Sequence, residues 1–167
     1  MSAFDNTARR IARCSARLPE QPASLVTLSR LMYHIQKRKQ DRLNIVMKKH
    51  GLNAVTYTVL MVLYGSDQET QRASELAEAC AEKPANLTRI CNDLEQLGLI
   101  KRCFGQQDRR SVQISLTAAG RKCVETIAPE YWAILRDTYA DISGSDLRKQ
   151  EILLRKQLAN LEAVDNQ

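Results

Sequence analysis

Apolar positions recur along this chain at two periods, and the switch between them outlines the architecture. Between Leu25 and Lys49, the residues Leu25, Leu28, Leu31, Met32, Ile35, Leu43 and Val46 keep a spacing near 3.6 and predict one long helix, stopped by Gly51. Asn53 to Tyr64 predicts a second helix, capped by Asn53 and ended by Gly65. It is nearly all apolar, which predicts burial on most sides. A polar loop from Gly65 to Thr70 leads to a short helix, Ala73 to Cys80. Pro84 suits the first turn of the next helix, which carries Leu87, Ile90, Cys91, Leu94 and Leu97 on one side and ends at Gly98. The period then drops to 2. Leu99–Phe104 and Ser111–Leu116 predict two strands joined by the polar turn Gly105–Arg110. Thr117 caps a further helix that runs towards Tyr139, with Gly120 in its first turn. Ser143-Gly144-Ser145-Asp146 resembles a capping box for a last helix ending near Glu162.

This order predicts a mainly α fold with a small β-hairpin, a winged helix-turn-helix flanked by N- and C-terminal dimerisation helices. Residues 53–120 form the DNA-binding domain in this reading, and residues 25–52 and 121–163 the dimerisation helices. Residues 1–24 are polar and Arg-rich and close with Pro19 and Pro22, which predicts an arm that orders only against a partner. The terminal helices carry more apolar side chains than one small winged domain can cover: Leu25, Leu28, Leu31 and Ile35 at one end, and Ile152, Leu153, Leu154, Leu158 and Leu161 at the other. A symmetric dimer buries them and spaces two reading helices about one DNA turn apart.

Charge sharpens the picture. The chain of 167 residues has a net charge of +6, but the excess is uneven. Residues 1–50 carry 11 basic and 3 acidic side chains, and residues 99–122 carry 6 and 1; residues 51–98 and 123–167 are net acidic. Positive charge is therefore concentrated at the N-terminal quarter and across the hairpin, which favours an anionic partner. No apolar run approaches the ~20 residues of a membrane span. The first residues lack the apolar core of a secretory signal. Five cysteines without a C-x-x-C argue against a disulfide framework and a cysteine-only zinc site, and point to a reducing cytoplasm. Two histidines, with no H-E-x-x-H, G-x-S-x-G or Gly-rich phosphate loop, give no basis for an enzyme, a catalytic residue, a metal or a cofactor.

The helix after Pro84 fits the major groove of double-stranded DNA. Asn86 matches adenine, Arg89 guanine, and Thr88 a thymine methyl or a phosphate. Ser74 and Lys83 complete the helical part of the DNA-facing set. In the hairpin turn, Asp108 sits beside Arg109 and Arg110, where a carboxylate can fix the orientation of a guanidinium aimed at phosphate or the minor groove. On the first long helix, Arg30, His34 and Arg38 recur at i, i+4 and i+8. With Tyr57 facing them, they would form an apolar pocket with a cationic end, suited to a flat aromatic carboxylate.

Asn86-Leu87-Thr88-Arg89-Ile90, Asp93-Leu94-Glu95, Gly98-Leu99-Ile100, Asp108-Arg109-Arg110 and Leu116-Thr117-Ala118-Ala119-Gly120 together resemble the MarR family of bacterial transcription regulators. The likeness spans about residues 25–162. The Asn-x-Thr-Arg-Ile stretch and Leu31–His34 resemble its EmrR-like branch. Arg72 stands where the family places a Ser or Thr cap. The resemblance implies a homodimer that binds a pseudo-palindromic operator, usually represses, and is released by a small anionic aromatic effector, an aromatic carboxylate or phenol. It also implies that Arg110 is the wing arginine, with Asp108 as its partner. The alternative on the same fold is a thiol-based redox regulator, with Cys14 activated by the surrounding arginines.

Overall fold

The computed structural model describes residues 4–104 and 112–165. Its helices are α1 (Asp5–Arg17), α2 (Ala23–Lys48), α3 (Ala54–Tyr64), α4 (Ala73–Ala79), α5 (Pro84–Gln96), α6 (Ala118–Thr138) and α7 (Gly144–Asp165); its strands are β1 (Thr70–Arg72), β2 (Ile100–Phe104) and β3 (Val112–Leu116). The chain divides into two compact units, Met1–Ile134 and Leu135–Gln167.

The first unit is organised around α3. Asn53 Oδ1 accepts hydrogen bonds from the Val55 and Thr56 backbone N–H groups, both at 2.9 Å, while Thr56 Oγ1 accepts from the Asn53 N–H. The cap expected at Asn53 is therefore a reciprocal box. Val59, Leu60 and Leu63 are fully buried and pack with Met47, Leu76, Leu87, Ile90, Leu94, Ile100, Ile114 and Ile127. Every element from α2 to α6 contributes a side chain to this core except β1. Gly51, at φ +71°, ends α2 in the left-handed region that glycine enters at no steric cost.

Three strands pair antiparallel in the order β1-β3-β2, with Ile100 opposite Leu116, Arg102 opposite Ile114 and Thr70 opposite Ser115. The expected hairpin is thus widened by a third strand that the polar sequence Thr70-Gln71-Arg72 did not announce. Thr70 Oγ1 donates to Ser115 Oγ at 2.8 Å. Just before β1, Glu69 receives two hydrogen bonds from the Arg121 guanidinium of α6, at 2.8 and 2.6 Å.

The Thr117-x-x-Gly120 motif has a clear physical basis. Thr117 Oγ1 accepts from the Gly120 N–H at 3.0 Å and donates to the Gly98 carbonyl at 2.8 Å, tying the start of α6 to the end of α5. A Cβ on Gly120 would lie 2.1 Å from the Leu99 carbonyl oxygen, so only glycine lets α6 pass this close to the chain entering β2.

Residues 5–17, read from sequence as an arm awaiting a partner, form the helix α1, which packs on α2. Ile11 is its buried residue, and Phe4 meets His34 edge-on at 5.5 Å. A single apolar anchor was too little to stand out among the arginines. In the second unit, α7 begins as expected: Ser143 Oγ accepts from the Asp146 N–H at 3.1 Å and donates to its carboxylate at 2.7 Å. Among the described residues of α7 none is buried.

Candidate nucleic-acid interface

Helices α4 and α5 meet across a turn in which Ala81 takes φ +52°, a left-handed conformation unusual for a residue with a Cβ. Arg72 stands at the N-cap of α4 without a capping side-chain bond, as the departure from Ser or Thr at that place implied. Lys83 is the N-cap of α5, also without one, and Pro84 occupies the first turn. The first N–H groups of α5 are therefore not closed by a cap side chain, and the positive end of the helix dipole is available to an anion.

The buried face of α5, Leu87, Ile90, Cys91 and Leu94, fixes which side chains point outward. Thr88 and Arg89 are exposed and Asn86 is half-buried; Ser74 and Lys83 are exposed nearby in sequence and fold. Arg89 Nη2 donates to Asn86 Oδ1 at 3.1 Å, and Arg89 Nη1 reaches Asp93 Oδ2 at 3.4 Å. Asn86 Nδ2 donates to Glu82 Oε2 at 2.6 Å. The two side chains chosen as base readers are thus held together in one row along the helix. The acids at either end are surface partners that a duplex can replace at small cost. Thr88 donates its hydroxyl hydrogen to the Pro84 carbonyl at 2.9 Å, leaving its oxygen to accept. Asp108, Arg109 and Arg110 lie outside the described residues.

Sequence reasoning missed Arg102. It was counted among the basic hairpin residues, but its guanidinium turns inward onto α5. Nη1 donates to Glu95 Oε2 at 2.7 Å and Nη2 to the Thr88 carbonyl at 3.2 Å, while its backbone N–H donates to Glu95 Oε1 at 3.2 Å. The signal was present in the alternation: Arg102 follows Ile100 by two and pairs with buried Ile114, which puts it on the inner side of β2. Arg102 also borders a cavity of about 410 Å³ between α5 and the sheet, shared with Ser74, Leu87, Thr88 and Asn92.

The residues expected to hold an effector have these surroundings. Arg30 stacks over the Tyr33 ring at 5.1 Å, His34 touches Phe4 and Tyr33, and Arg38 is exposed. Tyr57 is buried against Tyr131 at 5.9 Å, and burial, with smaller contributions from Tyr131 and Cys123, pushes its hydroxyl up to about 12. A cavity of about 350 Å³ opens where α2, α3 and α6 meet, lined by Gln36, Lys39, Gln40, Leu43, Val55, Thr58, Cys80, Glu82, Tyr131 and Ile134 among others. Burial pushes the Cys80 thiol up to about 11, with Glu82 and Cys91 adding to it, and also raises Cys123. Burial raises Cys91 too, against the opposing pull of Arg102. Trp132 of α6 is 52% exposed.

A buried helix, a helix-turn-helix and a sheet folded back on the second helix define a winged helix-turn-helix protein. The chain belongs to a family of transcriptional regulators, the one described as transcriptional regulator SarA/Rot, whose model matches residues 42–127. It is similar to the transcriptional repressor MprA of Escherichia coli strain K12, with 26% identity over 151 residues covering 90% of this chain and 86% of that protein. Its fold is similar to that of Sco3205, a MarR family transcriptional regulator from Streptomyces coelicolor solved in complex with DNA. That match has a TM-score of 0.79 at 20% identity and covers 84% of this chain and 89% of the other. It is also similar to BpsR of Bordetella bronchiseptica, described for regulation of its DNA binding by 6-hydroxynicotinic acid. There the TM-score is 0.69 at 24% identity, over 83% and 93% of the two chains. Among the described residues, no helix is long and apolar enough to cross a membrane.

Proposed function

We propose that this protein is a homodimeric repressor of the EmrR-like branch that binds a pseudo-palindromic operator and is released by a small aromatic acid or phenol. The observation that carries the reading is the outward row Asn86–Arg89 on α5, aligned by its own hydrogen bond beside an uncapped helix N-terminus. Ser74, Lys83 and Thr88 extend that surface. Asp108, Arg109 and Arg110 of the wing turn complete it in this proposal, with the wing entering the flanking groove. The similarity to MprA supports the branch and the repressor role.

Dimerisation is supported by α7, whose apolar side chains find no cover within their own unit: Ile152, Leu153, Leu158, Leu161 and Val164 are each more than half exposed. The exposed Leu25, Leu28, Met32 and Ile35 of α2 form a second such face. A second copy of the chain presents the same surfaces and covers them by two-fold symmetry.

The effector is assigned to the cavity at the α2–α3–α6 junction, with Tyr131 as its aromatic wall and Lys39 as its cation. The regulation of BpsR by 6-hydroxynicotinic acid supports this class of effector. Burial holds Cys80, Cys91 and Cys123 in the unreactive thiol form, so the redox alternative rests on Cys14 alone, which is exposed on α1.

A duplex selected by the wild-type protein from a random-sequence library tests the reading in a gel shift. Asn86→Ala and Arg89→Ala should each weaken binding by about 1–3 kcal/mol and relax sequence preference. Adding 6-hydroxynicotinate or benzoate should raise the melting temperature of the free protein and release the duplex. Wild-type protein that selects no duplex, or runs as a monomer at micromolar concentration in sedimentation, would overturn the proposal.

A further inference from the structure

A winged protein that reads DNA needs its helix and its wing in two grooves at once, so the angle between them has to be set before the duplex arrives. Between α5 and β2 lie only Leu97, Gly98 and Leu99, and Gly98 turns at φ +69°. The strand then doubles back along the helix, which brings Arg102 abreast of Glu95, seven residues earlier.

Here one residue grips the helix at two places. The Glu95 carboxylate is held by both the backbone N–H and the guanidinium of Arg102, one oxygen each, at 3.2 and 2.7 Å. The remaining arm of the fork reaches the Thr88 carbonyl at 3.2 Å. Thr88 and Glu95 are seven residues apart on one face of α5, about 10 Å along its axis. A planar fork bonded both to the Thr88 backbone and to the Glu95 side chain ties the strand to two turns of the helix and resists both sliding and rotation of the strand on it. The Arg102 side chain is 22% exposed, against 67% for Arg89, so its charge is spent inside the protein. Thr88 also belongs to the reading row, so the grip lands on the segment whose position matters.

We propose that Arg102 is the positioning residue that locks the wing to the reading helix through Glu95 and the Thr88 carbonyl, and so sets the geometry in which both engage DNA. The inference rests on the DNA-reading function proposed above. Arg102 touches no base or phosphate; it acts through the wing tip, and its contribution is preorganisation.

A double-mutant cycle on the full-length protein, read on the duplex that the wild-type selects, separates this role from the others. Arg102→Ala should weaken binding about tenfold in the wild-type background, and by no more than about twofold once Arg109→Ala and Arg110→Ala have removed the wing tip. Arg102→Lys should behave like Arg102→Ala, since an ammonium cannot bridge both acceptors. Exchanging the pair, as Arg102→Glu with Glu95→Arg, should recover much of the loss seen with Arg102→Glu alone. Equal losses with and without the wing-tip arginines would overturn the proposal. So would a lysine variant that binds like wild type, because a simple phosphate contact survives that change. If Arg102→Ala fails to fold, the lysine variant and Glu95→Gln carry the same test. Failure of the wild-type protein to select any duplex would sink the DNA-reading function itself; altered cycle values with wild-type binding intact bear on Arg102 alone.

Discussion

Helices α3 and α7 both carry runs of aliphatic side chains, and the structure treats them in opposite ways. In α3, Val59, Leu60 and Leu63 reach zero exposure against side chains from six other helices and strands. In α7, Leu161 and Val164 remain 66% and 68% exposed. Local pattern and capping made both of them helices: Asn53 closes one N-terminus and Ser143 the other. Burial depends on what the rest of the chain supplies. The first unit supplies a complete core for α3, while α7, in the dimer proposed above, is one half of an interface. Stability in the first unit is thus a property of one chain, and stability of the α7 surface a property of concentration.

The same glycine substitution made in each unit gives the largest contrast. Gly120→Ala forces a methyl to within 2.1 Å of the Leu99 carbonyl, a backbone atom that cannot swing away. We expect a loss of about 4 kcal/mol or more in chemical denaturation. At Gly144 the nearest atom to an added Cβ is the end of the flexible Arg148 side chain at 3.8 Å. Gly144→Ala should change stability by less than about 1 kcal/mol, in the stabilising direction. Similar costs at the two sites would show that the second unit is packed as tightly as the first.

Leucine truncation makes the comparison quantitative. Leu60→Ala should cost about 2–5 kcal/mol at any protein concentration, because it leaves a cavity in a closed core. Leu158→Ala should leave the unfolding of the first unit unchanged and raise the dimer dissociation constant by about tenfold or more in sedimentation equilibrium. A smaller and wholly local effect is expected at Thr117, whose hydroxyl caps α6. Thr117→Ala should cost about 1 kcal/mol, measured by urea denaturation.

What the sequence disclosed follows the same division between local and tertiary causes. Asn53, Thr117 and Ser143 were readable as caps because a cap is a contact within three or four residues. Gly120 was readable as a motif residue, but its reason, the passage of Leu99 beneath it, was not. Strand β1 was missed because Thr70-Gln71-Arg72 has no strand signal of its own; it exists because β3 offers Gln113 to Ser115 as partners. Helix α1 was missed because its order comes from Ile11 and Phe4 meeting α2. The reading row Asn86–Thr88–Arg89 was legible from helical periodicity, since the opposite face was apolar. The inward turn of Arg102 was not, because basic residues on a hairpin are ordinarily solvated. The neighbour of Tyr57 was hidden for a related reason. An aromatic on an all-apolar helix has no pattern to say which neighbour it meets, and Tyr131, 74 residues later in the chain, took that place.

Tyr57 also gives the finest test of how well the first unit's core is closed. Its ring is 1% exposed, and its hydroxyl has no hydrogen-bond partner among the described residues. Such a hydroxyl is desolvated without compensation, so Tyr57→Phe should be neutral or stabilising by up to about 1 kcal/mol at neutral pH. The pH dependence has a definite sign. The folded protein holds this proton more tightly than the unfolded chain, because burial raises the hydroxyl from its ordinary 10.0 to about 12. The associated stability is complete below pH 10 and is lost as the pH climbs from 10 towards 12. Phenylalanine has no proton to lose, so the variant's stability should fall less steeply across that window in alkaline denaturation followed by circular dichroism. A Tyr57→Phe protein that is clearly less stable at neutral pH would mean that the hydroxyl is paired, and that the core around α3 has a polar opening where the comparison with α7 assumes it is shut.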